Sequence, residues 1–213
     1  MARRTKEDAQ ATRQQLLQAA QRVFSEKGVS RTSLQDIAQA AGASRGAIYW
    51  HFKNKADLFN AMMERATLPM EQAMQQIGHV ARQDPLVELE RAMLRAMQSI
   101  VEDTDTRAIF EIATMKIEYV DELLAVKERH AQCCVDGTRE MQRSLQEAAA
   151  YRATTLPVAA EIAARGLHGL MVGLIQSWML APEAFELLVV SQSAIRTYLA
   201  GLGLRPEASG GIA

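Results

Sequence analysis

The densest chemistry in this chain lies in Ser44-Arg-Gly-Ala-Ile-Tyr-Trp-His51, followed by Lys53 and Lys55. Only Ala47 and Ile48 in that run read as core positions. Arg45, Tyr49, Trp50 and His51 are large donors or stacking surfaces. Gly46 omits a side chain where a backbone could approach a phosphate, and residues 37–56 contain no acid. Such a set suits a helix laid in the major groove of DNA, with donors to base edges, donors to phosphates and no carboxylate nearby. A plain corner of two helices with a solvated face shares the spacing. Two other constellations are weaker. His130, Cys133 and Cys134 fall at i, i+3 and i+4 and could offer imidazole and thiolates to a soft metal. They leave a structural zinc site one ligand short, and two small residues packed beside a His read the same way. Gly42-Ala-Ser-Arg-Gly46 fits G-x-S-x-G, but that elbow needs a strand before its Ser, and a helical pattern precedes it. No dinucleotide fingerprint, P-loop or H-E-x-x-H occurs, so neither an enzyme nor a metal or other cofactor is expected.

Charge favours the first constellation. Residues 1–55 hold ten Lys/Arg against four Asp/Glu, net +6, and the remainder holds 14 against 21, net −7. The overall charge of −1 thus conceals a basic head on an acidic body, and the head suits a polyanion. Arg3, Arg4 and Lys6 precede the first helix with little to pack against. They are predicted to form an arm that touches phosphate or the minor groove.

Helices must position these groups. Among 213 residues, 48% are hydrophobic and 23% charged, which excludes wholesale disorder. Aromatics at 5% are few for a β-sandwich, and two Cys point to a reduced, cytoplasmic protein. No apolar run follows the first basic residues, so no secretory signal is expected. Leu16, Leu17, Ala20, Val23 and Phe24 make one helical stripe, ended by Gly28. Leu34, Ile37, Ala38 and Ala41 make a second after a capping box at Thr32-Ser-Leu-Gln35, and Gly42 stops it. Ser44 caps a short third helix to about Trp50, and Asn54 caps a fourth that Pro69 must kink or end. Pro85 opens a helix to about Glu102. Helical periodicity, internally broken, then runs from Thr106 to about Ala150. Thr154-Thr-Leu-Pro157 starts a helix to about Leu180, and Pro182 opens the last, with a frayed tail from Arg205. The uncharged stretch Gly166–Ala181 contains His168, Gln176 and Ser177 and falls short of the ~20 apolar residues of a membrane span. The expected fold is all-α with about nine helices. A three-helix helix-turn-helix bundle would occupy 10–70 and a larger helical domain 71–205.

The stretch from Thr32 to Phe59 resembles the TetR family of transcriptional repressors. The opening Met1-Ala-Arg-Arg-Thr-Lys-Glu-Asp and Arg45-Gly-Ala-Ile-Tyr-Trp-His-Phe look most like the branch controlling multidrug efflux pumps. A weaker likeness continues through Gly166–Trp178 and Pro182–Phe185. The resemblance implies a ligand-responsive, homodimeric repressor on a roughly palindromic double-stranded DNA operator, released by a small apolar or aromatic effector. It assigns DNA contacts to Thr32, Ser33, Ser44, Arg45, Tyr49, Trp50, His51 and Lys55, with Lys55 on a phosphate; Gly46 joins them from its residue type as a close backbone approach.

For the effector, Phe110, Thr114, Met115, His168, Met171, Val172 and Gln176 could line one cavity if their helices face each other. Met93 and Met97 belong to a Met-rich region suited to varied apolar partners. Gly166, Gly169 and Gly173 form a stripe at i, i+3 and i+7 that marks a close helix contact, within one subunit or between two. The resemblance favours the dimer interface. A metal- or thiol-responsive repressor using His130, Cys133 and Cys134, or a helical enzyme with an unrecognised site, are the rival readings.

Overall fold

In a computed structural model, residues 6–75 and 84–205 are described. They form nine α-helices, and no strand occurs among them. Arg3 and Arg4 of the expected arm, and the tail after Arg205, lie outside the described residues. Lys6 does not precede the first helix but opens it.

The helices are α1 (Lys6–Lys27), α2 (Leu34–Ala40), α3 (Arg45–His51), α4 (Lys55–Gln75), α5 (Pro85–Glu102), α6 (Thr104–Met115), α7 (Leu124–Tyr151), α8 (Ala160–Leu180) and α9 (Leu187–Gly201). A single 3-10 turn, Asp121–Leu123, precedes α7. Contacts divide the chain into two units. The first comprises residues up to Thr67 together with Thr104–Ala131, and the second Leu68–Asp103 together with the chain from Gln132. By their contacts, α6 and the start of α7 group with the N-terminal helices. Their Ile109, Ile112, Leu123 and Val126 share one buried cluster with Leu16, Phe24, Ile37, Ile48 and Phe59.

Local signals set most boundaries. Gly28 takes φ +79° after α1 and Gly42 takes φ +65° after α2, left-handed turns that cost glycine little. Ser44 accepts from Ala47 N at 3.2 Å to cap α3. Asn54 accepts from Asp57 N at 2.8 Å at the start of α4. Asp84 accepts from Leu86 N at 2.9 Å and sets Pro85 at the head of α5, where its missing N–H costs nothing.

Four details depart from the sequence reading. The capping box of α2 is built by Ser33 and Asp36, not Thr32 and Gln35. Ser33 N donates to Asp36 Oδ2 at 2.9 Å, and Asp36 N to Ser33 Oγ at 3.1 Å. These bonds, chiefly those from the Ser33 hydroxyl and backbone, hold the Asp36 carboxyl below the usual aspartate range. α4 does not end at Pro69 but continues to Gln75. α8 begins at Ala160, because a residue before proline avoids the helical region and Pro157 keeps the chain extended. Pro182 does not open α9; Ala184 N donates to Ala181 O at 3.0 Å, so Pro182 holds the second position of a tight turn.

In the second unit α9 packs on both α5 and α8. Arg152 at the end of α7 hydrogen-bonds Asp84 and the Arg205 carbonyl, and Arg196 on α9 pairs with the buried Glu90 on α5. These two levels make α5 and α9 antiparallel. No helix among the described residues is long and apolar enough to cross a membrane.

Candidate nucleic-acid interface

α3 is held by one fully buried side chain, Ile48, and by the buried Phe52 that follows it. Phe52 N donates to Ile48 O at 2.9 Å, and the Arg13 guanidinium lies 5.3 Å over the Phe52 ring. Behind α3, Ala43 N donates to Ala38 O at 2.9 Å and fixes the turn to α2. Anchoring through one position leaves the rest of α3 outward. Ser44, Arg45, Gly46, Tyr49, Trp50 and Lys53 are exposed and His51 half-buried. Trp50 is 71% exposed, far beyond the normal for the largest apolar side chain. Its ring stands edge-on to His51 at 4.5 Å, and the Arg45 guanidinium lies 5.7 Å from the Tyr49 ring. A Cβ on Gly46 would approach only Ser44 Oγ, at 3.9 Å, so packing within the chain does not require glycine there. Ser33, at the start of α2, is exposed as well.

Two of the expected DNA contacts, Thr32 and Lys55, are turned inward in this DNA-free structure. Thr32 is 2% exposed, and its hydroxyl turns inward to donate to Gly28 O at 2.8 Å. Lys55 is 4% exposed, and its ammonium contacts Ser30 O at 3.1 Å, Thr32 O at 2.9 Å and Glu122 Oε2 at 2.9 Å. An ammonium has three protons, so none of Lys55's is left for a phosphate in this structure. The role of Glu122 was not legible in the sequence, since 67 positions separate it from Lys55.

A donor-rich short helix, borne outward on one anchor behind a capped helix and a glycine turn, is the geometry of a helix-turn-helix. Residues 16–62 match the N-terminal domain described as bacterial regulatory proteins, tetR family, and residues 84–203 match the C-terminal region of MAATS-type transcriptional repressors. The chain belongs to the TetR family. It is a DNA-binding transcriptional repressor and not an enzyme. It is 36% identical to the HTH-type transcriptional regulator TtgR of Pseudomonas putida, over 97% of this chain and 98% of the relative. Crystals of NalD, the secondary repressor of the MexAB-OprM multidrug efflux pump in Pseudomonas aeruginosa, contain a chain of the same fold. Its TM-score is 0.83 at 36% identity, over 92% of this chain and 98% of NalD. The SmeT–triclosan complex is similar at TM-score 0.81 and 31% identity, over 93% of each chain. SmeT is the repressor of the Stenotrophomonas maltophilia multidrug efflux pump SmeDEF.

Against this TetR-family frame the expected effector residues divide. Phe110, Thr114 and Met115 lie on α6 in the first unit. All three are half-buried; Phe110 packs on that unit's core, and the Thr114 hydroxyl donates to Phe110 O at 2.8 Å. Met93, Met97, His168 and Met171 lie in the second unit, the three methionines buried and His168 half-buried. Val172 and Gln176, expected in the same lining, are exposed instead. They share a face with Gly169 and Gly173 because residues three and four apart on a helix lie side by side. Sequence reasoning passed over Ser191 on α9. It interrupts the buried stripe Leu187, Ile195 and Leu199, is 0% exposed, and its hydroxyl has no hydrogen-bond partner. A polar residue inside an apolar i, i+4 stripe was the available signal.

The glycine stripe also divides. A Cβ on Gly166 would stand 2.2 Å from Tyr198 Oη, which donates to Ala163 O at 2.9 Å, so this glycine serves a close contact of α8 and α9 within the subunit. Gly169 and Gly173 face open space. For the rival metal or thiol sensor, His130 Nδ1 is 2.9 Å from Tyr119 Oη, and no three His, Cys, Asp or Glu side chains gather as a metal site among the described residues. Burial, with a smaller effect from Cys133, raises the Cys134 thiol, which makes it a poorer nucleophile at neutral pH.

Proposed function

We propose that the chain represses genes of a multidrug efflux system in the cytoplasm and is released from DNA by a small apolar or aromatic effector. The outward donor set of α3 carries the DNA half of this reading: Arg45, Tyr49, Trp50 and His51 read bases, while Ser33, Ser44 and the backbone at Gly46 meet phosphates. The efflux half rests on the likeness to NalD and SmeT. Two copies of α3 would enter successive major grooves, so the operator is roughly palindromic.

The homodimer would form through the outer faces of α8 and α9. Ile162, Leu180 and Val189 are 62%, 75% and 66% exposed there, and Gly169 and Gly173 give a second helix room to approach. The glycines provide a paired test. Gly173→Leu should leave the melting temperature of the isolated chain nearly unchanged while shifting the protein from dimer to monomer in sedimentation. Gly166→Ala should instead cost about 1–3 kcal/mol of stability, because Tyr198 must give way. Equal effects at the two positions would remove α8 from the interface.

For the effector, Met93, Met97, Met171 and His168 of the second unit offer a soft apolar lining with one polar group, and Ser191 of the same unit adds a hydroxyl. Effector acts only through a higher affinity for the form that binds DNA poorly. Triclosan, present in the SmeT complex, is the probe of choice. It should lower operator affinity about 5- to 150-fold, and operator should lower triclosan affinity by the same factor. Met171→Ala should weaken triclosan binding and spare ligand-free operator binding. Triclosan bound without any coupling to operator would remove it as an inducer.

A further inference from the structure

Arg13 carries a charge that the protein leaves unanswered. It is half-buried on α1, just outside the matched residues 16–62, and its guanidinium lies 5.3 Å over the Phe52 ring. Leu16, Leu17, Ala20 and Phe24 on the same face of α1 are buried, so Arg13 stands at the open end of the core stripe, where it meets the end of α3. Among the described residues that ring is its one partner, and no carboxylate or carbonyl receives its N–H groups. A ring face offers no oxygen, so those groups keep their capacity for an anion. Residues 37–56 hold no acid, and the Asp57 carboxylate beyond them accepts from Lys53 N at 3.0 Å. The Lys53 side chain is exposed, and so is Lys6, two turns before Arg13 on the same face of α1. A partly dehydrated cation without a counter-charge is costly, and an external anion removes that cost. Position supplies the identity of the anion. Phe52 directly follows α3 and its N–H bonds Ile48 O, so the guanidinium has a fixed place relative to the helix that carries Arg45, Tyr49 and Trp50. When such a helix lies in the major groove, the helix beside it crosses the phosphate backbone.

We propose that Arg13 is a phosphate contact made from α1, outside the helix-turn-helix, and that it clamps the DNA strand bordering the groove that α3 enters. The inference rests on the reading of α3 as the DNA-reading helix. The Phe52 ring holds the guanidinium in place before DNA arrives, so less side-chain freedom is lost on contact, and the planar fork can take two phosphate oxygens. A phosphate contact carries no sequence information, so Arg13 adds affinity for operator and random duplex alike.

The experiment compares wild type, Arg13→Met and Arg13→Lys. The probes are a genomic duplex retained by the wild-type protein and a scrambled duplex of the same length, each titrated across a salt series. Arg13→Met keeps an apolar stem against Phe52 and removes the charge. It should reduce the slope of log affinity against log salt by about 1.8 per dimer, about 0.9 for each phosphate released. Affinity for both duplexes should fall about tenfold to thirtyfold at about 0.15 M salt, with the ratio between them unchanged. Arg13→Lys should restore most of the slope, since an ammonium still neutralises a phosphate. The melting temperature should stay within a few degrees of wild type in both variants. A merely structural role would lower the melting temperature and leave the slope alone. Wild-type slope in Arg13→Met overturns the proposal. So does a loss confined to the genomic duplex at an unchanged slope, which would mean that Arg13 only holds Phe52 and α3 in place. If Arg13→Met does not fold, Arg13→Gln, polar and uncharged, decides with the same slope expected. Failure of the wild-type protein to retain any duplex would count against α3 as the DNA-reading helix, a different result from a variant that matches wild type.

Discussion

Arg45→Ala is expected to cost the proposed dimer about 2–6 kcal/mol of operator affinity, between about thirtyfold and about twenty-thousandfold. One good bidentate contact to a base edge discriminates by about 1–3 kcal/mol, and the dimer makes each contact twice. The guanidinium is exposed and already lies against the Tyr49 ring, so little ordering remains to oppose its use on DNA. Lysine should not rescue it, because an ammonium lacks the planar fork. The loss should concentrate on operator over random duplex, and the melting temperature should not move, since Arg45 is exposed and contributes nothing to the buried cluster. An equal loss on both duplexes would make Arg45 a phosphate contact and leave base reading to Tyr49, Trp50 and His51.

Ile48→Ala is expected to be the most damaging core change in the first unit relative to its size, at about 2–5 kcal/mol of stability. Ile48 is 0% exposed and is the one buried residue within α3, so only Phe52, just after the helix, is left to anchor it. Total stabilities of about 5–15 kcal/mol make that a large fraction. DNA binding should fail although Ile48 cannot touch DNA, because α3 no longer has a fixed orientation. Trp50→Ala supplies the contrast: at 71% exposure it should change stability by no more than about 0.5 kcal/mol and still weaken operator binding. Thermal melts of the two variants separate the roles. A stable Ile48→Ala protein, or a destabilised Trp50→Ala protein, would reverse the assignment of the two faces of α3.

Much of the DNA-binding half was written in adjacent residues. Ser44 and Asn54 cap the helices expected of them, Gly28 and Gly42 turn where left-handed backbone is needed, and Ile48 is buried while Arg45, Tyr49 and Trp50 are not. These features depend on neighbours within four positions, and the helix period carries that information. The boundaries that slipped did so where two local rules compete. Thr32 and Ser33 can each begin a capping box, and Asp36 decides for Ser33. Pro182 suits a helix start and a turn equally, and the Ala181–Ala184 hydrogen bond decides for the turn.

What the sequence alone determined was the helical architecture, the basic head, the glycine turn and the outward donor set, since each follows from composition or from residues a few positions apart. Only the tertiary structure decided where long-range partners meet. It turned Thr32 inward and gave all of Lys55's protons to Ser30, Thr32 and Glu122. It moved α6 into the head's core, divided Gly166 from Gly169 and Gly173, and carried Val172 and Gln176 to the outer face of α8. The physical reason is the same in each case. A residue's type and spacing define which face of a helix it occupies, but which element covers that face depends on packing between segments tens of residues apart, and no local period encodes that.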